Sequence, residues 1–357
     1  MTAAAKIRVL VVDDSLTARK HIVDVLAADP SFEVVAEAAD GRQAIELCEQ
    51  RRPDVVTMDM MLPVMSGLAA TEWIMAYCPT PIVILSASMN RGDVFRSYDA
   101  IAAGAVDVLP KPSGPGGDGA WVDRLKFVLR VASRIKVVTH VRARLAPQSM
   151  AGARATHATA PPAAPRVRVV AIGASTGGPG AVRRVLLGLP ASLSVPVLLV
   201  LHVGEPFDAT LADWLDAQTA HRVAFAVDGE PLFDGPPRVL MSPAGKHMFV
   251  SQGKLCLGSG PERHSCRPSV DVLFESVAAE VGVASVGVLM TGMGRDGAEG
   301  LLAIRKAGGY TIAQDEATSI VYGMPRAAVE LGAAVSVLPL DGIAPALHRL
   351  TSKEAKR

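Results

Sequence analysis

No apolar run in this sequence approaches the roughly 18 residues that a membrane-crossing helix needs, although 50% of its 357 residues are hydrophobic. That apolar content has to be buried in globular cores, and the length suffices for two of about 150 residues each. The chain passes from Lys6 directly into "IRVLVVDDS", with no separate apolar segment and cleavage site. This predicts a cytoplasmic location and no direct membrane insertion. Cysteine is scarce: Cys48, Cys78, Cys256 and Cys266 form no C-x-x-C pair, and no histidine cluster has zinc-ligand spacing. Reduced, mostly buried thiols are therefore expected. The formal net charge of +1 gives no global field for nucleic acid, and no nucleic-acid partner is expected. Acidic residues are missing between Asp123 and Glu205, where Arg and Lys recur from Arg124 to Arg184. Such a stretch reads as a solvated basic face or as a surface that steers an acidic partner.

What is present is alternation. The runs "IRVLVV", "FEVVAEA", "DVVTMDM", "PIVILSAS" and "AVDVLP" are each followed by an amphipathic stretch. The pattern predicts an α/β domain over 1–137, with a doubly wound parallel sheet and ligands at the carboxyl ends of its strands. Residues 138–166, rich in Ala, Pro and Arg, lose the periodicity and read as a flexible linker. Alternation resumes in "VRVVAIG", "VPVLLVLH", "RVAFAV", "ASVGVLMTG", "YTIAQDE" and "VSVLPL", which predicts a second α/β domain over 167–351 with a mainly parallel sheet. From Arg238 to Leu257, polar turn residues separate three short apolar runs, the pattern of a β-hairpin insertion.

In the doubly wound order 2-1-3-4-5, Asp13, Asp14 and Asp59 end neighbouring strands. Three converging carboxylates repel one another unless a cation neutralises them, and hard oxygen ligands suit Mg²⁺. A single Asp at a strand end is ordinarily a helix N-cap. Here Ser86 and Lys111 end the fourth and fifth strands and add a hydroxyl and an ammonium, a cradle for a phosphoryl group. The arrangement resembles the flavodoxin-like receiver domain of two-component response regulators. The resemblance implies Asp59 as phosphoacceptor, Asp13, Asp14 and Asp59 as Mg²⁺ ligands, and Ser86 and Lys111 as switch residues. Met61 and Ser66 stand where acidic residues are usual, Val108 replaces a common aromatic, and "SGPGGDG" extends the loop after Pro112.

In the second half, "GASTGGP" follows an apolar run and fits Gly-x-Ser-x-Gly, a nucleophile on a strand-to-helix turn. A glycine-rich turn there can also hold a phosphate. If Ser175 attacks, it needs a base and a group orienting that base. The candidate bases are His202, His221, His247, His264 and His348. His202 closes the strand after that of Ser175 and belongs at the same sheet edge. His221 begins a strand, and His348 belongs to the terminal helix. By the same reasoning, Asp296 leaves a buried strand through a glycine-rich turn at that edge. Backbone amides of Thr176 and Met293 face the same space and suit an oxyanion hole. "GMGRDG", residues 292–297, also fits a dinucleotide loop, but Asp296 would then oppose pyrophosphate oxygens.

"AIGASTGGP", the strand-closing His202, "RPSVDVLF", "TGMGRDGAEGL" and "GMPRAAVELGA", behind a receiver and linker, resemble the chemotaxis protein-glutamate methylesterase and glutamine deamidase family (CheB-like). The resemblance implies Ser175 as nucleophile, His202 as base and Asp296 as its orienter, with Thr176 and Met293 beside the oxyanion and 322–325 along the approach. It further implies hydrolysis of γ-glutamyl methyl esters and deamidation of specific glutamines on methyl-accepting chemoreceptors. A histidine kinase would be the phosphodonor, and no cofactor would serve the esterase chemistry. The unphosphorylated receiver would cover the site. After His202 the chain reads "VGEPF" where Met-Pro is common; Arg183 and Arg184 are placed to offset Glu205. A non-catalytic response regulator and a dinucleotide-binding enzyme are the competing readings.

Overall fold

The computed structural model describes residues 5–86, 91–111, 119–135, 166–203 and 207–352. The expected linker, apart from Arg166, and the loop after Lys111 lie outside the described residues, as do Gly204 and Glu205.

The first unit alternates β1 (Ile7–Val12), α1 (Leu16–Ala27), β2 (Phe32–Ala38), α2 (Gly41–Arg51), β3 (Val55–Asp59), α3 (Gly67–Tyr77), β4 (Ile82–Ser86), α4 (Arg91–Ala103), β5 (Asp107–Pro110) and α5 (Gly119–Ala132). Its sheet has the order β2-β1-β3-β4-β5, every pair parallel. β3 and β4 are buried at every position, as strands covered on both faces must be. Helix starts follow local chemistry: the side chains of Ser15, Asp40 and Ser66 accept from amides three residues on. Ser66 thus has a structural task, capping α3. Gly67 follows it because a Cβ there would strike the Asp59 carbonyl.

The second unit contains β6 (Val169–Ala174), α6 (Gly178–Gly188), β7 (Val197–Leu201), α7 (Asp208–Gln218), β8 (Val223–Phe225), β9 (Val239–Met241), β10 (His247–Ser251), β11 (Lys254–Gly258), α8 (Val270–Glu280), β12 (Ser285–Leu289), α9 (Ala298–Lys306), β13 (Tyr310–Gln314), α10 (Met324–Glu330), β14 (Ser336–Leu338) and α11 (Leu340–Thr351). The large sheet runs β14-β13-β12-β6-β7-β9-β8 with all pairs parallel. The stretch from Arg238 divides differently from the sequence expectation. Its first apolar run, β9, is fully buried and fills the main sheet between β7 and β8; only β10 and β11 form the antiparallel hairpin. From β6 the chain proceeds to β7 on one side, and later strands build out from β12 on the other. The order therefore switches at β6, and the crevice for a ligand opens there.

The two units share a seam. α4 packs on α6 and α7, and one apolar core continues from the first sheet into the second. Tyr98, fully buried, lies 5.2 Å from the Trp214 ring, and Trp214 Nε1 donates to Asp99 Oδ1 at 3.1 Å.

Candidate active site

Ser175 leaves β6 on a turn held from the neighbouring strand. Its amide donates to the Thr291 carbonyl at 3.0 Å, and Thr291 Oγ1 donates to the Thr176 carbonyl at 3.0 Å. Gly177 takes the left-handed conformation at φ +74°, which starts α6 immediately behind the serine. Gly292 closes the cradle: a Cβ there would stand 2.8 Å from Ser175 Cβ and would strike Met324 Sδ.

His202 emerges from β7 beside it, its amide donating to the Ala174 carbonyl at 3.1 Å. Nε2 lies 2.9 Å from Asp296 Oδ2. Asp296 in turn faces the amino end of α8. Its Oδ1 accepts from Ser269 Oγ at 2.7 Å and from the Asp271 amide at 3.1 Å, and Oδ2 accepts from the Val270 amide at 2.7 Å. Burial alone would raise its pKa. The His202 partner and these donors at a helix amino end outweigh that and hold the carboxylate at about 2. Burial pulls His202 the other way, but Asp296 and Cys266 together push it up to about 9. Asp271, in the first turn of α8, is the contrasting acid. Burial and the charge of Asp296 push it up to about 6 against the Gly300 amide, Arg263 and His264.

Among the described residues, no hydrogen bond joins Ser175 Oγ to His202. The nitrogen left over from Asp296, Nδ1, instead has Cys266 Sγ at 3.7 Å. The Thr176 and Met293 amides donate to no described group, so both donors remain available. Thr176 Oγ1 is buried without a partner. Met293, 41% exposed, stands on the rim. Tyr322 bridges to Gly292, and the Met324 amide donates to the Gly292 carbonyl at 2.9 Å, which brings 322–325 alongside.

The other histidines fall elsewhere. His221 lies at the start of β8, at the far edge. His247 accepts from the Ser269 amide at 3.2 Å and lies 3.0 Å from the Pro261 carbonyl through Nε2; His264 lies 3.1 Å from Asp271. Both support α8 from behind, a role their sequence positions did not reveal. His348 is on α11. Residues 292–297 form no dinucleotide seat, because Asp296 is turned inward to His202 and α8. Arg184 is committed to Asp341 through paired contacts of 2.8 and 3.0 Å, and Arg183 contacts Gln218; Glu205, which the sequence sets against them, lies outside the described residues. A cavity of about 380 Å³ beside Arg168, Phe233 and Arg238 sits at the opposite end of the sheet and touches none of these residues.

At the first sheet, Lys111 Nζ lies 2.7 Å from Asp13 Oδ2 and 2.9 Å from Asp59 Oδ2. Burial disfavours the ammonium, but both carboxylates hold its pKa above the ordinary lysine value. Burial chiefly raises Asp13, against Lys111. The Lys111 approach to Asp13 is an ion pair by distance only; Oδ2 has no hydrogen-bond partner. Carboxylate oxygens of Asp13, Asp14 and Asp59 lie within 4.8 Å of one another. Three converging hard carboxylate donors, whose charge Lys111 offsets only in part, fit a Mg²⁺ ion. Ser86 is buried at the end of β4, and the Lys111 amide donates to its carbonyl at 2.8 Å.

The family model described as CheB methylesterase matches residues 170–347, and that of the response regulator receiver domain matches 9–117. The chain is 46% identical over 345 residues to protein-glutamate methylesterase/protein-glutamine glutaminase 2 of Anaeromyxobacter dehalogenans, covering 97% of each. It is 44% identical over 354 residues to the Symbiobacterium thermophilum protein of the same name, covering 96% of each. Among solved structures, the CheB methylesterase catalytic domain of Thermotoga maritima is 33% identical, covers 52% of this chain and 98% of its own, and gives a TM-score of 0.49. No helix among the described residues is long and apolar enough to cross a membrane.

Proposed function

Because the chain belongs to the protein-glutamate methylesterase/protein-glutamine glutaminase family, we propose that it removes methyl groups from γ-glutamyl esters of chemoreceptors and deamidates selected glutamines, under control of receiver phosphorylation. The observation that carries the reading is the His202–Asp296 pair, anchored on the amino end of α8 and set beside Ser175 at the switch point of the sheet.

Ser175 is the nucleophile. His202 Nδ1 takes its proton as Oγ attacks the side-chain carbonyl, while Asp296, ionised at every working pH, fixes the ring through Nε2 and balances the imidazolium. The free amides of Thr176 and Met293 are suited to receive the oxyanion, where one donor is worth roughly 3 kcal/mol. Collapse of the tetrahedral adduct returns the proton to the leaving methanol, or to ammonia from a glutamine. Water, activated by the same nitrogen, then cleaves the acyl-enzyme.

Asp59 is the phosphoacceptor, with Ser86 and Lys111 contacting the phosphoryl group. Asp13, Asp14 and Asp59 would hold Mg²⁺, which supplies charge neutralisation for phosphoryl transfer. A chemotaxis histidine kinase is the phosphodonor, and the reaction is cytoplasmic. Residues 1–137, 138–166 and 167–351 serve as receiver, linker and esterase. Control is supported by the seam of α4 with α6 and α7, the helices that follow Ser175 and His202. Ile320 beside Gly177 also packs against the receiver core around Val9, Leu85 and Leu109. The absent Ser175–His202 hydrogen bond fits a resting enzyme. New phosphate charge that re-pairs Lys111 and Ser86 biases this interface.

The test is methanol release from methylated chemoreceptor membranes, with and without a small-molecule phosphodonor and Mg²⁺. Release that rises with the donor, and is lost in S175A, is expected. Release indifferent to the donor would remove the switch, and none from folded protein would remove the esterase.

A further inference from the structure

We propose that Cys266 is a reversible oxidation site for a small uncharged hydroperoxide, placed on the base nitrogen of His202 so that its oxidation turns the esterase off. The inference rests on the assignment of His202 as base.

The sulfur is one member of a constellation. Cys266 Sγ, His202 Nδ1 and Asp296 on Nε2 stand in the order of a Cys-His-Asp nucleophile. The turn that carries the sulfur is held against its own backbone preference. His264 and Ser265 both have positive φ, +52° and +59°, between the paired residues Arg263 and Cys266. Left-handed non-glycine residues are unfavourable and persist where the surroundings fix them. Here Arg263 forks onto Glu275 at 2.5 and 2.7 Å and reaches Glu299 at 3.3 Å, while His264 lies 3.1 Å from Asp271. Both residues are pinned, and Cys266 is presented to the imidazole. It is partly exposed, whereas Cys48 is fully buried with its thiol pushed up to about 12 by burial and so is inert.

The chemistry balances with hydrogen peroxide as oxidant. The thiol, which donates to the His264 carbonyl at 3.4 Å, releases its proton to water, and the thiolate beside the His202 imidazolium attacks one peroxide oxygen. An S–O bond forms, the O–O bond breaks, and the departing hydroxide takes the proton from Nδ1 as water. The products are a sulfenic acid and water, with sulfur oxidised and peroxide reduced by two electrons. The sulfenic hydroxyl then lies against Nδ1 and donates to it, so Ser175 loses its proton acceptor. A small thiol displaces water to give a mixed disulfide, and a second thiol restores Cys266.

The experiment treats the full-length protein with hydrogen peroxide. Sulfenic acid is trapped with dimedone and assigned by peptide mass, and esterase activity is followed in parallel without the trap. Cys266 is expected to label about tenfold or more faster than Cys256 and Cys78. Activity should fall in step and return with dithiothreitol, while C266S keeps its own starting activity through the same treatment. H202Q should slow Cys266 to the rate of Cys256. Cys48 reports folding in that variant; if it labels, D296N replaces H202Q. Cys266 labelling no faster than Cys256, or at wild-type rate in folded H202Q, would overturn the proposal. So would C266S losing activity as fast as wild type, or full activity surviving complete Cys266 oxidation. Labelling is read without esterase turnover, so a failure of the esterase reading is seen separately.

Discussion

Tyr98 of α4 donates its phenolic hydrogen to the carbonyl of Phe207 at 2.6 Å, a buried bond between the receiver and the segment leading into α7. Y98F removes this bond and leaves the carbonyl with only the longer one, 3.4 Å, from Thr210 Oγ1, a loss of about 0.5–1.5 kcal/mol. If the seam holds the enzyme at rest, Y98F raises methanol release without phosphodonor by roughly 5-fold, at about 1.4 kcal/mol per tenfold, and narrows the further gain from the donor. Unchanged basal release would separate the seam from control.

G292A tests the cradle around the nucleophile. The new Cβ would collide with Met324 Sδ and crowd Ser175 Cβ. Overpacking of this kind costs roughly 1–3 kcal/mol of stability. The displaced serine should cost activity far beyond that loss. Denaturant titration and methanol release on one sample separate the two effects.

D296N keeps the shape of the side chain and removes its charge. The amide cannot both accept from the α8 amides as a carboxylate does and orient the His202 tautomer. By analogy with the aspartate of a serine-protease triad, the rate of methanol release should fall by on the order of 10³–10⁴. A fall under tenfold would remove Asp296 from the mechanism.

The resting site makes a prediction in pH. Neutral His202 is the base, and its proton is held up to about 9. Esterase activity, corrected for spontaneous hydrolysis, should climb between pH 7 and 9 and level above. C266A should move the rise to lower pH, since Cys266 is among the groups that hold the proton on. The stabilisation from protonated His202 has the opposite sense. It is complete below the unfolded value near 6.5 and lost as pH rises through about 9.

D59N tests the other half. The phosphodonor should no longer stimulate methanol release, and the Mg²⁺-dependent incorporation of phosphate measured by intact mass should disappear.

The sequence by itself determined the local parts. Buried β-branched runs have one comfortable conformation, and Ser and Asp next to helix starts cap them, so the strands and helices of both units were legible. The parallel order then put Ser175, His202 and Asp296 at one edge, because carboxyl ends of parallel strands share a side. Only the tertiary structure decided what rests on residues far apart in the chain. Tyr98 and Phe207 are separated by 109 positions, and Asp99 and Trp214 by 115, with no periodicity announcing that they meet. The same holds for β9, whose three residues read as part of a hairpin until the gap between β7 and β8 accepts them. It holds also for Asp296, whose acidity comes from His202 and from the donors at the amino end of α8, and for Cys266, whose neighbour His202 is 64 positions away. Backbone conformation follows from near neighbours, but electrostatics and thiol reactivity follow from whatever packing brings within a few ångströms.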